Sequence, residues 1–334
     1  MIKALYHGDL IIKMKTSNYF RRKSCRLCRS NKLSSIINLQ STPPANQFVK
    51  IDSLGTKQAK YPLEVFFCKN CAHVQLLDVV NPEELFRDYV YVSGTSPVFV
   101  NHFKDYANDL MNNYEFDKNK LILDIGSNDG TLLSFFKEKG HKVLGVDPAK
   151  KIAEKATKGG IETISDFFNL NLAKRIKKEY STASLITANN VFAHADDLIE
   201  IINGIKFLLS ENGIFVFEVS YLLDVFDKTL FDTIYHEHLS YHSVKPLKNF
   251  FSNNGMELID VKRINTHGGS IRCVAKLKES ILITNNSVTD LIKSEENCQL
   301  DKADTFIKFA LKIQGIKNDL KKMLCDIKKN GQKI

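Results

Sequence analysis

Residues Leu121 to Asp147 read LILDIGSNDGTLLSFFKEKGHKVLGVD, and this stretch decides the fold. Leu121 to Ile125 is a short apolar run of the kind a buried parallel strand needs. Asp124, Gly126 and Gly130 end it in a tight turn. Leu132, Leu133, Phe135 and Phe136 follow at helical spacing on one face, and Gly140 stops that helix. Val143 to Val146 is a second apolar run, closed by Asp147. The pattern predicts a strand–helix–strand unit with a glycine turn first and an acid at the end of the second strand. In such a unit a ligand lies over the glycine turn, and the later acid accepts hydrogen bonds from ribose hydroxyls.

The loop narrows the choice of ligand. A dinucleotide site wants G-x-G-x-x-G, because a pyrophosphate must sit on backbone N–H groups. Here Ser127 and Asn128 follow Gly126, and Asp129 lies inside the loop. A carboxylate there repels phosphate and suits a positive or amino group. S-adenosylmethionine (SAM) meets that description, with no phosphate, a sulfonium and an amino-acid end. The D-x-G-x-x-x-G turn resembles the class I methyltransferase loop; the alternative is an ordinary strand-to-helix turn in another α/β domain. On this reading Asp124, Gly126, Asn128, Gly130 and Asp147 bind the cofactor.

The alternation continues downstream. Residues 150–158 read as a helix and 161–164 as a third strand. Asp166 and Phe167 follow, the acid and aromatic that in this fold sit beside an adenine. A helix over 170–180 leads to a strand over 184–188, closed by Asn189, Asn190 and then His194. A helix over 198–209, stopped by Asn212-Gly213, precedes a strand over 214–219. Polar strand ends, Asn189 among them, therefore gather on one edge, where open α/β sheets bind ligands.

Upstream, Cys25 and Cys28 form one C-x-x-C knuckle and Cys68 and Cys71 another. Each tight turn lets two sulfurs face one point, and four thiolates suit a tetrahedral zinc ion. Disulfides or a redox pair are the alternatives. Four thiolates leave no open position, so the zinc is expected to be structural, with His73 a local hydrogen-bonding partner. Tyr89 and Tyr91, two apart in a strand-like stretch, point to one side, for core packing or for function.

Bulk properties set bounds. A chain of 334 residues has room for two or three cores, and 43% hydrophobic with 25% charged residues is ordinary for a soluble protein. No apolar run is long enough to span a membrane. Residues 1–20 read as a loose extension rather than a signal peptide. An odd count of seven cysteines without a signal peptide argues for a reducing cytoplasm. Much of the net charge of +9 comes from the lysine-rich residues 302–333, which suits nucleic acid, a nucleotide diphosphate or simply a solvated helix face. No aromatic–basic stretch for stacking bases is present, so nucleic acid is not the expected partner.

The densest run of titratable side chains is Tyr235-His236-Glu237-His238-Leu239-Ser240-Tyr241-His242. It could bind a metal, perform acid–base chemistry with a tyrosine as donor, or decorate a surface. His267-Gly268-Gly269-Ser270-Ile271-Arg272 pairs a glycine turn with a guanidinium, for a phosphate or carboxylate contact or for a hairpin.

Taken together, the double C-x-x-C, IGSNDGTLL, NNVFAH, DTIYHEHLSYHS and THGGSIR resemble the sugar C-methyltransferases of nucleotide-deoxysugar pathways, from Cys25 to the end of the chain. The resemblance implies a zinc-binding domain (21–80) after the extension (1–20), and a connecting segment (81–118). A SAM-binding Rossmann-like domain (119–225) and a C-terminal region (226–334) follow. It implies His238 as base, Glu237 as support, Tyr235 and His194 in the same pocket, and Tyr89 or Tyr91 reaching in. His236, His267 and Arg272 complete the expected substrate contacts. Family members continue for a further α/β segment that helps hold the nucleotide, so the C-terminal part is expected to be missing here. A cytoplasmic monomer acting on a nucleotide-linked keto-deoxysugar is the overall expectation.

Overall fold

The computed structural model describes residues 18–87, 89 and 92–333. Tyr91 and residues 1–17 of the expected extension lie outside the described residues. The strands in chain order are β1 (Tyr19–Arg21), β2 (Leu33–Thr42), β3 (Tyr61–Cys68), β4 (Val74–Leu76), β5 (Asp78–Val80), β6 (Leu121–Ile125) and β7 (Lys142–Val146). Then come β8 (Thr163–Ile164), β9 (Ala183–Asn189), β10 (Leu209–Ser220), β11 (Ser240–Tyr241), β12 (Met256–Ile264) and β13 (Ser270–Leu277).

Seven of these form one sheet in the order β12-β13-β10-β9-β6-β7-β8. Five are parallel, from β8 to β10, while β13 runs antiparallel between β10 and β12. This is the class I SAM-dependent methyltransferase arrangement. Its order reverses between β6 and β9, where the chain leaves the sheet in opposite directions and a ligand crevice opens.

Both faces of the sheet are covered, which explains the unbroken apolar runs. Leu121, Leu123 and Ile125 pack with Ile186, Phe215 and Phe217 on one face, under the helices Leu170–Glu179, Leu198–Leu208 and Val244–Asn253. Ile122 points the other way, with Leu185 and Val216, under the helices Pro97–Asn113 and Thr131–Glu138. Phe192, fully buried, stacks near Phe251 and His242 and joins this core to the turn after β9.

Three expectations shift. Strand three shortens to two residues, Thr163–Ile164. Asn212-Gly213 does not stop a helix but lies within β10, at an irregularity between Leu209 and Ile214 where it passes β9. A domain boundary at 225 cuts the sheet, because β12 and β13 from the expected C-terminal region are strands of it.

A second sheet, β11-β4-β3-β2, belongs to the cysteine-bearing segment. Its fourth strand is borrowed: Ser240 and Tyr241 pair with Gln75 and Val74. The helix Ala303–Lys329 buries Phe306, Phe309 and Ile313 alongside Phe67 and Phe226, and then leaves Ile316, Leu320 and Met323 exposed. The apolar face of this helix is therefore used only in its first half among the described residues. Among the described residues no helix is long and apolar enough to cross a membrane.

Phe192→Ala is expected to cost about 3–5 kcal/mol, since a fully buried ring leaves a cavity that its aromatic neighbours cannot close. Denaturant unfolding measures it, and a shift within error of zero would contradict this packing.

Candidate active site and zinc site

The donor loop begins where β6 ends. Gly126 (φ +71°) and Gly130 (φ +80°) take left-handed conformations that favour glycine. A Cβ at Gly126 would sit 2.2 Å from Val191 Cγ2, so the turn passes close under the segment after β9. Asp147 at the end of β7 accepts from the backbone N–H groups of Asn128 (2.9 Å) and Ala149 (2.8 Å), which fixes the loop's shape. Each carboxylate oxygen retains a second lone pair, so a ribose contact stays open.

Asp129 departs from expectation. Its carboxylate accepts from the Gly94 N–H at 2.9 Å and the Thr131 hydroxyl at 2.6 Å. Asn128 Oδ1 accepts from the Ser93 N–H at 2.9 Å. The two side chains hold the segment before the helix Pro97–Asn113 over the loop, and that is the first use of Asp129's charge. Asp124 carries the stronger electrostatic signal. Burial pushes its carboxyl up to about 7, against the Thr187 hydroxyl donating to it at 2.6 Å. A cation brought to this carboxyl would restore its charge.

One cavity of about 810 Å³ joins these residues to the histidine run. Asp124, Gly126, Asn128, Asp147, Asp166, Phe167 and Asn189 line it, and so do His194, Tyr235, His238, His267 and Tyr89. Buried Asn189 side-chain atoms have no hydrogen-bond partner among the described residues, an open demand that a ligand can meet. Phe167 lies under the Arg87 guanidinium, 4.8 Å from its ring centre.

Across the cavity, His238 is held from both ends. Its Nδ1–H donates to the Thr233 carbonyl at 2.8 Å, because a carbonyl can only accept. That fixes the tautomer, so Nε2 accepts from the Tyr235 hydroxyl at 2.9 Å. The His194 ring lies edge-on, 5.0 Å from the His238 ring. Burial lowers His238 to about 4 and His194 well below its ordinary value, and it raises the Tyr235 phenol. The pair is neutral near pH 7, not poised to titrate there. His267 takes φ +50° in the turn before β13, and its Nε2 lies 3.4 Å from the Asn190 amide.

Three expected contacts fall outside the cavity. His236 bonds the Tyr61 carbonyl at 3.2 Å, and Glu237 accepts from the Asn46 amide at 2.6 Å. Both are 1% exposed and face the cysteine-bearing segment. Arg272 is also consumed. It pairs with Glu218 (2.7 Å) and Asp109 (3.0 Å) and stacks 3.8 Å over Tyr106. No phosphate-reading fork remains. Sequence reasoning missed Thr233, Ser93 and Gly94, which act through backbone groups that residue type does not reveal.

The four knuckle sulfurs all lie within 4.8 Å of one another, with Cys25–Cys71 at 3.6 Å and Cys28–Cys68 at 3.5 Å. A tetrahedron with Zn–S near about 2.3 Å has edges of about 3.8 Å, so the set fits zinc. Its interaction with Cys25 pushes the Cys68 thiol up to about 11, as expected where sulfurs this close cannot all ionise without a cation. His73 stays out of the set and lies 3.2 Å from the Ser240 hydroxyl.

Three family descriptions match in succession: a zinc binding domain over residues 25–86, a methyltransferase domain over 101–261, and a C-methyltransferase C-terminal domain over 265–334. Together the three describe a SAM-dependent methyltransferase flanked by a zinc-binding domain and a C-methyltransferase-type C-terminal domain. Its cofactors are SAM and zinc. C-methyltransferase NovU of Streptomyces niveus is similar, 28% identical over 310 residues that cover 93% of this chain and 74% of that one. Among solved structures, a SAM-dependent methyltransferase from Anabaena variabilis is 16% identical (52% of this chain, 84% of that one, TM-score 0.42). Magnesium protoporphyrin IX methyltransferase of Synechocystis with bound SAH is 13% identical (53% and 81%, TM-score 0.41).

Two outcomes test the two sites. SAM binding is expected to tighten as pH rises through about 7, because Asp124 must lose its proton to face a cation. Calorimetric titration shows this, and Asp124→Asn should flatten the dependence. Chelating the zinc should expose the peptides of β3 and β4 and the run from Tyr235 to Tyr241 to hydrogen exchange, while β6 and β7 stay protected. Uniform protection of both regions would contradict the coupling.

Proposed function

We propose that this enzyme C-methylates a nucleotide-linked keto-deoxysugar, with His238 as the base. The carrying observation is that the donor loop and the Tyr235–His238 pair line one cavity. Bound SAM supplies an electrophilic methyl on a sulfonium. A carbon acceptor has no lone pair, so it must first become a carbanion equivalent. A keto sugar provides one when the proton beside its carbonyl is removed.

The hydrogen bonds support a division of labour. Tyr235 donates to His238 Nε2 in the structure described here. When a sugar carbonyl enters, the same hydroxyl can turn to its oxygen and stabilise the developing oxyanion. That movement frees Nε2, the only lone pair left on an imidazole whose Nδ1–H is tied to Thr233. His194, buried and neutral, borders the ring site. Tyr89, Tyr91 and His267 are the proposed substrate contacts, while His236 and Arg272 are engaged elsewhere and Glu237 turns to Asn46 rather than supporting His238. A cavity of about 810 Å³ has room for the donor and one sugar ring together.

His238→Asn is expected to lower kcat by about 10²–10⁴-fold and leave SAM affinity within about threefold. With SAM saturating, the acid limb of the wild-type rate should fall near pH 4 rather than 6.5, because a lowered histidine pKa keeps the imidazole neutral above it. Mass spectrometry on a panel of keto-sugar nucleotides measures both. Methylation of none of them, or a persistent rate in His238→Asn, would sink the reading.

A further inference from the structure

We propose that Arg26, inside the first cysteine knuckle, is a positioning residue that sets the spacing between His194 and His238. Its side chain is fully buried, yet most of its partners lie outside the knuckle. Nη1 donates to the Leu239 carbonyl at 3.1 Å, next to His238, and to the Leu76 carbonyl. Nε donates to Asp196 Oδ1 at 3.2 Å, two residues after His194. One planar fork thus grips both segments that carry the histidines.

The surroundings reinforce the grip. The Arg26 N–H donates to Gln75 Oε1 at 3.0 Å, so the fork's stem is fixed to β4. Leu76 N–H donates to the Leu239 carbonyl at 3.0 Å, and Ser240 N–H donates to the Ala193 carbonyl at 3.1 Å. Arg22 holds the second oxygen of Asp196 at 2.8 Å, so that carboxylate stays anchored. A guanidinium suits this place because its fixed, planar donors reach several acceptors at set angles, which a lysine ammonium cannot do. A knuckle that served only the metal would need no charged side chain driven 0% exposed into the active-site wall.

The consequence for turnover rests on His238 being the base proposed above, whereas the placement of its ring does not. The test therefore uses two readouts on the zinc-loaded full chain. Arg26→Met is expected to keep its zinc and bind SAM within about threefold. The His238 imidazole, which faces Tyr235, His194 and His267, should titrate about one unit higher as the loosened wall admits water. NMR of histidine-labelled protein reads that shift without any substrate. On a turned-over keto-sugar nucleotide, kcat should fall about 100-fold with the KM for SAM unchanged. Arg26→Lys should stay impaired, because charge returns without the fork.

Unchanged His238 titration in Arg26→Met overturns the proposal. Zinc loss in both Arg26 variants also overturns it, since Arg26 would then serve the metal module alone. Should Arg26→Met fail to fold, Asp196→Asn carries the test from the other end of the grip with the knuckle intact, and an unaltered His194 and His238 spectrum there overturns it equally. If no sugar nucleotide is methylated, the functional reading fails while the imidazole titration still decides the placement.

Discussion

The short antiparallel pairing of Ser240–Tyr241 with Val74–Gln75 is the constraint on which the site depends. Only Leu239 separates these two residues from His238, and their strand pairing belongs to the cysteine-bearing sheet. His238 therefore does not hang on a free loop of the methyltransferase domain. It is strung between that domain and a small sheet too sparse to fold securely without its metal. Zinc with four thiolates has no open position for chemistry, but it can stiffen the strand from which the catalytic peptide departs.

The cavity's two walls solve opposite electrostatic problems. On the donor side, Asp124 and Asp147 are buried carboxyls whose charge is costly until a cation arrives. On the far side, burial keeps His194 and His238 unprotonated. A neutral imidazole pair beside an acidic loop repels neither a sulfonium nor a sugar. The same burial makes His238 a weaker base than a solvated histidine. The proposed proton removal there would lean on positioning and on the Tyr235 hydroxyl rather than on basicity alone.

Much of this was legible in the chain. The run from Leu121 to Asp147 announces its strand, turn, helix and strand through periodicity and two glycines, and the double C-x-x-C announces its metal by ligand type and spacing. Arg272 was not legible. Its fate follows from register, because β13 pairs Arg272 directly with Glu218 of β10 and with Lys262 of β12. A guanidinium beside a glycine turn suggests a phosphate until the strand opposite is known to bring a carboxylate to the same point. The reach of β12 and β13 into the central sheet was hidden for the same reason, since strand adjacency is a long-range property.

The histidine-rich run shows why density of titratable groups is an ambiguous signal. The His238 N–H donates to the Tyr235 carbonyl at 3.0 Å, so the peptide turns once between them. That turn brings residues 235 and 238 to one side and sends 236 and 237 to the other. His236 and Glu237 then meet the Tyr61 carbonyl and the Asn46 amide of the cysteine-bearing segment, where buried polar atoms must find partners. Polar residues accumulate in such a peptide because it has two buried neighbours to satisfy, of which only one is the cavity. Half of the run thus faces the cavity and half does docking, and the cavity half holds its geometry because the docking half is fixed.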